Sequence, residues 1–280
     1  MKHPAYAVLG HPVAHSRSPF IHALFAQQTG LALDYGRLLS PLHDFAGTLR
    51  DFALHGGRGC NITLPFKFQA LALAGDCSAR ARLAGAANTL KRDGDAWWAD
   101  NTDGVGLVRD IEQGALRSLA GQRLLLIGAG GAAAGVLGPL LQAAPACVVV
   151  ANRTPSKAQA LVERHRDLAL EVGALLRAAS LDDPGNGFDI VLNASASSLQ
   201  GQAAPVPQTV LAPGALAMDL MYGPAADPFM AWARQAGASA RDGLGMLVEQ
   251  AAESFFVWHG LRPQTAPVLA ALRAEIEAGR

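Results

Sequence analysis

Charge is scarce in this sequence. Only 16% of its 280 residues are Asp, Glu, Lys or Arg, and 50% are hydrophobic, where an ordinary soluble domain carries about 25% charge. That balance excludes the composition of a disordered chain. An excess of either sign is also missing, with 23 basic and 23 acidic side chains. Without a net basic field, neither nucleic acid nor an anionic membrane is an expected partner, and a small molecule is. Cysteine is sparse: Cys60, Cys77 and Cys147 are odd in number and show no CxxC or finger-like spacing. This excludes a disulfide framework and a structural zinc site, and fits a reducing cytoplasm. No HExxH or comparable ligand set is present, so no metal is expected. The start, Met1-Lys2-His3-Pro4, lacks a charged segment followed by an apolar core, so no signal peptide is expected.

A chain of 29.1 kDa at roughly 100 to 200 residues per domain predicts about two domains. From Leu124 to Ala151 no residue is charged, a length that raises a membrane-spanning helix. Gly128, Gly130, Gly131, Pro139 and Pro145 argue against it, dividing the stretch into an aliphatic run, a glycine turn, a small-residue helix and a second aliphatic run. That is the reading of a strand, a helix and a parallel strand buried on both faces. Further strands are expected near Ile190 to Asn193 and Ala215 to Leu220, completing a doubly wound parallel sheet. Earlier in the chain, strands are expected at Ala5 to Leu9 and Cys60 to Leu64. Helices are expected from Ser18-Pro19, with Ser18 as the cap, from Pro41 to His55, and from Phe66 to Ala74. Asp93-Gly94 predicts a hairpin between Asn88–Lys91 and Ala96–Asp100. Apolar residues at Leu244, Leu247, Val248, Ala251, Ala252 and Phe255 recur at helical spacing, and a last helix follows Pro263; this pair can return to the first domain.

The glycine turn carries the first chemistry. Leu124 to Ile127 leads into Gly128-Ala129-Gly130-Gly131-Ala132-Ala133, a GxGxxG/A pattern with Ala133 in the third small position. Small residues are needed where a backbone turns sharply, approaches a pyrophosphate and starts a helix that points its amides at that anion. A tight structural turn would use the same residues, but the strand, turn and helix context favours a dinucleotide. The following strand ends at Asn152-Arg153-Thr154, with Lys157 one turn on. An NAD site places an acid there for the ribose hydroxyls, whereas cations suit the 2'-phosphate of NADP.

The first third of the chain holds four polar clusters: His15-Ser16-Arg17-Ser18-Pro19, Asn61-Ile62-Thr63-Leu64-Pro65-Phe66-Lys67, Ala86-Ala87-Asn88-Thr89 and Asn101-Thr102-Asp103-Gly104. Each alone has a plainer reading: Ser18 or Asp103 as a helix cap, Asn61 and Thr63 as strand-edge residues, Lys67 as a solvated cation. Such a set of small hydroxyl and amide side chains suits a site that pairs the polar groups of a small substrate and rejects analogues that leave its own groups unpaired.

With the GAGGA turn, NRT, and Asp242-Gly243-Leu244-Gly245-Met246-Leu247-Val248-Glu249-Gln250, these clusters resemble the shikimate dehydrogenases, in the family's order from Tyr6 to about Leu269. The resemblance implies an α/β protein of two domains: an N-terminal α/β substrate domain and a Rossmann-type doubly wound parallel sheet. The expected limits are 1–103 plus 244–280 for the first and 104–243 for the second. It implies NADPH-dependent, reversible reduction of 3-dehydroshikimate to shikimate, in the cleft between the two domains. Ser16, Ser18, Asn61, Thr63, Lys67, Asn88, Asp103, Tyr222 and Gln250 match substrate contacts, and Lys67 and Asp103 match the catalytic pair. Cofactor contacts are expected at Gly128, Ala129, Gly130, Gly131, Ala132, Asn152, Arg153, Thr154, Lys157, Ala194, Ser195, Met218, Leu220 and Gly243. Two places depart from the family pattern: Asn193-Ala194-Ser195-Ala196-Ser197-Ser198 lacks the glycine usual near Ser198, and Asp227 stands where the family more often has Thr before the Pro. A cytoplasmic monomer or homodimer is expected. An NAD-using quinate/shikimate paralogue is the nearest alternative. A dinucleotide-sensing protein without turnover is a distant one, which would be expected to lack Lys67 or Asp103.

Overall fold

The structure, a computed structural model, describes residues 4–195, 197, 198, 201 and 204–278. The expectation drawn from Met1–His3 and the part of the Asn193–Ser198 segment at Ala196 therefore lie outside the described residues. Two compact units form: Met1–Gly106 with Val248–Arg280, and Leu107–Leu247.

The first unit is built on a six-stranded mixed sheet of β1 (Tyr6–Gly10), β2 (Tyr35–Leu39), β3 (Gly59–Ile62), β4 (Asp76–Cys77), β5 (Thr89–Asp93) and β6 (Ala96–Asp100), in the order β2-β1-β3-β5-β6-β4. β1 runs parallel to β2 and β3, β5 runs antiparallel to β3 and β6, and β4 runs parallel to β6. Its helices are α1 (Ser18–Thr29), α2 (Phe45–Leu54), α3 (Lys67–Ala72) and α4 (Ala79–Ala84). Ala7, Leu9, Phe45, Leu49, Phe52, Cys60, Ile62, Phe66 and Leu90 form its core.

The second unit is an all-parallel sheet of β7 (Arg123–Ile127), β8 (Cys147–Ala151), β9 (Leu175–Ala179), β10 (Phe188–Asn193), β11 (Leu211–Asp219) and β12 (Ser239–Arg241), in the order β12-β11-β10-β7-β8-β9. In order of appearance this is 3-2-1-4-5-6, the doubly wound arrangement whose ligand crevice lies at the carboxyl ends of the strands where the winding reverses. That reversal falls between β7 and β10. The uncharged Leu124–Ala151 stretch is β7, then α6 (Gly131–Gln142), then β8. Leu124, Leu125, Leu126 and Ile127 are fully buried, as a central parallel strand requires. The other helices of this unit are α7 (Pro155–Arg164), α8 (Arg166–Glu171) and α9 (Asp227–Gln235). The boundary between the units falls within α5 (Asp103–Arg109) and α10 (Leu244–His259), and α11 (Thr265–Ala278) follows. Among the described residues no helix is long and apolar enough to cross a membrane.

Several local expectations are corrected. Ser18 does not cap α1: it is the first helical residue, the flanking residue is Arg17, and the Ser16 hydroxyl accepts from the Ser18 amide at 3.3 Å. α2 begins at Phe45 rather than Pro41, because the Asp44 carboxylate accepts from the Gly47 amide at 3.0 Å and satisfies a free donor that Pro41 cannot serve. α3 ends at Ala72, and β3 stops at Ile62. The edge strands β2, β4, β9 and β12 are additions to the expected elements.

Candidate active site

In the first unit, β3 delivers Asn61, the turn after it delivers Thr63, and α3 opens with Lys67. β5 is preceded by Asn88, and β6 is followed by Asn101, Thr102 and Asp103. Since β3, β5 and β6 are neighbours in the sheet, segments far apart in sequence meet at one end of it. The Lys67 Nζ lies 2.5 Å from Asp103 Oδ2, with the two side chains only 13% and 7% exposed. The other carboxylate oxygen, Asp103 Oδ1, accepts from Asn88 Nδ2 at 2.8 Å. Asn88 Nδ2 is also 3.0 Å from Gln250 Oε1, while Asn88 Oδ1 accepts from the Thr102 amide at 2.8 Å. The Asn101 side chain holds the turn, donating to the Ala86 carbonyl at 2.9 Å and accepting from the Asp103 amide at 3.2 Å. Asp103 thus has each oxygen assigned, one to a cation and one to an amide donor.

Ser16 and Ser18 sit with their hydroxyls 3.2 Å apart, and Arg37 on β2 grips the Ser16 carbonyl through two donors at 3.1 and 2.7 Å. Thr63 is half-buried, its amide donating to Leu9 at 3.0 Å. The expected substrate contacts other than Tyr222 therefore all belong to the first unit. Tyr222 belongs to the second, where it precedes a short 3-10 turn at Gly223–Ala226.

The second unit holds the expected dinucleotide residues. Gly128 follows β7 with φ +111°, and a Cβ there would stand 2.9 Å from the Ala194 carbonyl oxygen. Only glycine suits that conformation and that approach. Gly130 is exposed with open space around its Cβ position, as a turn that must admit a phosphate requires. α6 starts at Gly131, and Ala133 is fully buried against the core. These features fit a pyrophosphate on the amino end of α6. Asn152 Nδ2 donates to the Thr154 carbonyl at 2.9 Å, and Arg153 and Lys157 are exposed around the start of α7. Cations placed there fit a 2'-phosphate.

At the β7/β10 reversal a buried cluster was not foreseen from the sequence. Asp219 Oδ2 accepts from Asn193 Nδ2 at 2.9 Å and from the Ser198 hydroxyl at 2.5 Å, and Asp219 Oδ1 accepts from the Met221 amide at 2.8 Å. Burial pushes the Asp219 carboxyl above the ordinary aspartate range, against the pull of these donors. The cluster ties the segment carrying Ala194 and Ser195 to the end of β11. The Ser195 hydroxyl donates to Asn193 Oδ1 at 2.7 Å. Met218 is fully buried and packs in the sheet core, with Leu220 half-buried against it. The available signal was an aspartate closing the hydrophobic run Leu216–Met218. Tyr35 and Ser254, which brace the first unit's polar set, were likewise missed, and Thr102 was singled out only as part of the Asn101–Gly104 cluster; Ser254 stands four residues after Gln250, on the same helix face. Among the described residues no group of His, Cys, Asp or Glu could hold a metal ion.

Residues 8–90 match the shikimate dehydrogenase substrate binding domain, residues 110–200 match shikimate / quinate 5-dehydrogenase, and residues 243–273 match the shikimate 5'-dehydrogenase C-terminal domain. A shikimate dehydrogenase (NADP(+)) from Methylibium petroleiphilum is 61% identical over 97% of this chain and 95% of its own. An Ael1 enzyme from Pseudomonas putida superposes with a TM-score of 0.86 at 46% identity, covering 95% of this chain and 97% of that one. The shikimate 5-dehydrogenase of Thermus thermophilus, solved in complex with NADP(H) and shikimate, gives 0.84 at 36% identity, covering 96% and 98%. Sequence match along the whole chain and agreement of fold lead to one conclusion: the chain belongs to the shikimate dehydrogenase family.

Proposed function

We propose that this protein catalyses the reversible, NADPH-dependent reduction of 3-dehydroshikimate to shikimate. The observation that carries this reading is the Lys67–Asp103 pair at 2.5 Å, embedded in the hydrogen-bonded set of Asn88, Thr102 and Gln250. The first unit is the substrate unit and the second the cofactor unit. Gly128 to Ala132 hold the pyrophosphate, Arg153 and Lys157 the 2'-phosphate, and Ala194, Ser195, Met218, Leu220 and Gly243 border the nicotinamide half. NADPH, when bound, supplies the hydride.

The chain's own residues manage the proton. A ketone that gains hydride at carbon needs a proton at oxygen, and the reverse reaction needs that proton removed, so one positioned group serves as acid and then as base. Lys67 fills this role: its Nζ donates a proton to the forming alkoxide during reduction and takes it back from the alcohol during oxidation. Asp103 holds the ammonium in place, and Asn88 keeps the carboxylate from rotating by occupying its second oxygen. Ser16 and Ser18 hydroxyls receive the substrate carboxylate, while Asn61, Thr63, Gln250 and Tyr222 pair its hydroxyls. This pairing confers selection by hydroxyl pattern.

The test is the change in absorbance at the NADPH wavelength with purified protein, shikimate and NADP. Turnover with NADP far exceeding that with NAD is the expected result, and no turnover on shikimate overturns the reading. Quinate and NAD in the same assay measure breadth. The reaction belongs to aromatic amino acid biosynthesis in the cytoplasm, carried out by a monomer or homodimer.

A further inference from the structure

Asn61 has its side-chain amide gripped at both ends. Its Oδ1 accepts the Tyr35 phenol proton at 2.7 Å, and its Nδ2 donates to the Ser254 hydroxyl at 2.9 Å. An asparagine amide can turn over and exchange donor for acceptor with almost no change of shape. Something must therefore choose which end faces which neighbour.

The choice starts from the Asn88 backbone carbonyl, which can only accept and lies 3.4 Å from Asn61 Nδ2, so the nitrogen end faces that side. The Ser254 hydroxyl donates to the Gln250 carbonyl oxygen at 3.1 Å, and a carbonyl can only accept. Ser254 Oγ also lies 2.8 Å from Thr89 Oγ1 and 3.1 Å from Thr102 Oγ1, and within this set its oxygen accepts from Asn61 Nδ2. That leaves Asn61 Oδ1 to face Tyr35, whose phenol must donate. Tyr35 keeps its proton: burial holds the phenol well above the ordinary tyrosine range. The His22 ring stacks on it at 4.3 Å and 11°, and burial drives that imidazole down to about 3, so it is neutral. The Tyr35 ring is thus fixed by packing, with its hydroxyl 2.7 Å from Asn61 Oδ1.

We propose that Tyr35 and Ser254 are positioning residues that hold the Asn61 amide in this orientation, and through it shape the selection of substrates by hydroxyl pattern. The inference rests on the proposed function, in which Asn61 pairs a substrate hydroxyl. Because the grip comes from β2 on one side and α10 on the other, the amide is preset before substrate arrives.

Tyr35→Phe removes the phenol oxygen and leaves the ring on His22. The expected result is a KM for shikimate raised about threefold to tenfold, the effect of one lost hydrogen bond, with kcat within twofold and the KM for NADP unchanged. In an Asn61→Ala background the same change has no further effect. A second readout does not depend on turnover: the side-chain amide protons of Asn61, identified by NMR from their loss in Asn61→Ala, exchange with solvent about threefold to tenfold faster in Tyr35→Phe. Ser254→Ala, which releases the other end, produces the same two changes and serves where Tyr35→Phe does not fold. Unchanged amide exchange, or equal effects of Tyr35→Phe with and without Asn61, overturns the inference. Absence of shikimate turnover in the parent protein instead overturns the proposed function, and the amide exchange still decides whether Asn61 is held.

Discussion

Lys67 and Asp103 meet although 36 positions separate them, and loss of either is expected to have the same outcome. Lys67→Ala removes the proton carrier, and Asp103→Asn removes the charge that holds it. Each is expected to lower kcat by about 10² to 10⁴, the range for lost acid and base catalysis, with NADP affinity nearly unchanged. Stopped-flow and steady-state rates check this, and near-full turnover in Lys67→Ala removes the assignment. Arg153 is exposed, so the proposed 2'-phosphate role predicts an effect on cofactor affinity rather than on folding. Arg153→Ala and Lys157→Ala are expected to weaken NADP by about 1.5 to 3 kcal/mol per lost charged hydrogen bond while NAD binding changes little. Calorimetric titration of both cofactors measures the difference, and equal losses refute the 2'-phosphate role.

Among the elements, the turn between β7 and α6 tolerates least. Gly128→Ala places a methyl group against the Ala194 carbonyl in a backbone conformation unsuited to a side chain. Strain of this kind costs about 1 to 3 kcal/mol. The expected result is a lower urea midpoint together with weaker NADP binding, because the same turn is the proposed pyrophosphate site; a variant matching the parent in both contradicts it. α10 is locked to the first unit's sheet by charge as well as packing. Glu253 Oε1 lies 3.2 Å from Arg80 and its Oε2 2.8 Å from Arg262, while Arg80 also reaches Asp100 at 2.5 Å. Glu253 is 7% exposed. Its replacement by Ala is expected to cost about 1 to 3 kcal/mol, less than a fully buried pair, because the Arg262 side chain is 43% exposed. Denaturant titration reads the loss, and an unchanged midpoint shows that packing alone holds the helix.

For the whole molecule, pH is the lever that burial supplies. His22, His165 and His259 are all pushed below the ordinary histidine range, burial being the main cause in each. The unfolded chain binds protons at these sites near pH 6.5, where the folded protein does not. Stability is therefore full above about pH 6.5 and falls as the pH drops, for His22 down to about 3, at up to roughly 1.4 kcal/mol per pH unit for one such group. Urea midpoints at pH 7 and pH 5.5 should show the decline, and His22→Phe should flatten it; an equal slope in that variant removes His22 as a source. The elements were legible where local chemistry is strong. The apolar run Leu124–Ile127, the glycine turn and the Asp93-Gly94 hairpin each carry their conformation in neighbouring residues. The edge strands were not: β2, β9 and β12 consist of half-buried and exposed positions with none fully buried, because a strand paired on one side needs no continuous apolar run. The start of α2 was misread because Pro41 and Asp44 both suit a helix start, and a side-chain bond decides between them. Motif composition and order by themselves determined the family, the doubly wound sheet and the residue types of the site. What only the tertiary structure decided is which of those polar residues touch. Strand order brings β3, β5 and β6 side by side, so Lys67, Asn88 and Asp103 share hydrogen bonds that no local rule contains, and Ser254 and Tyr35 become the neighbours of Asn61 through pairings of segments remote in the chain.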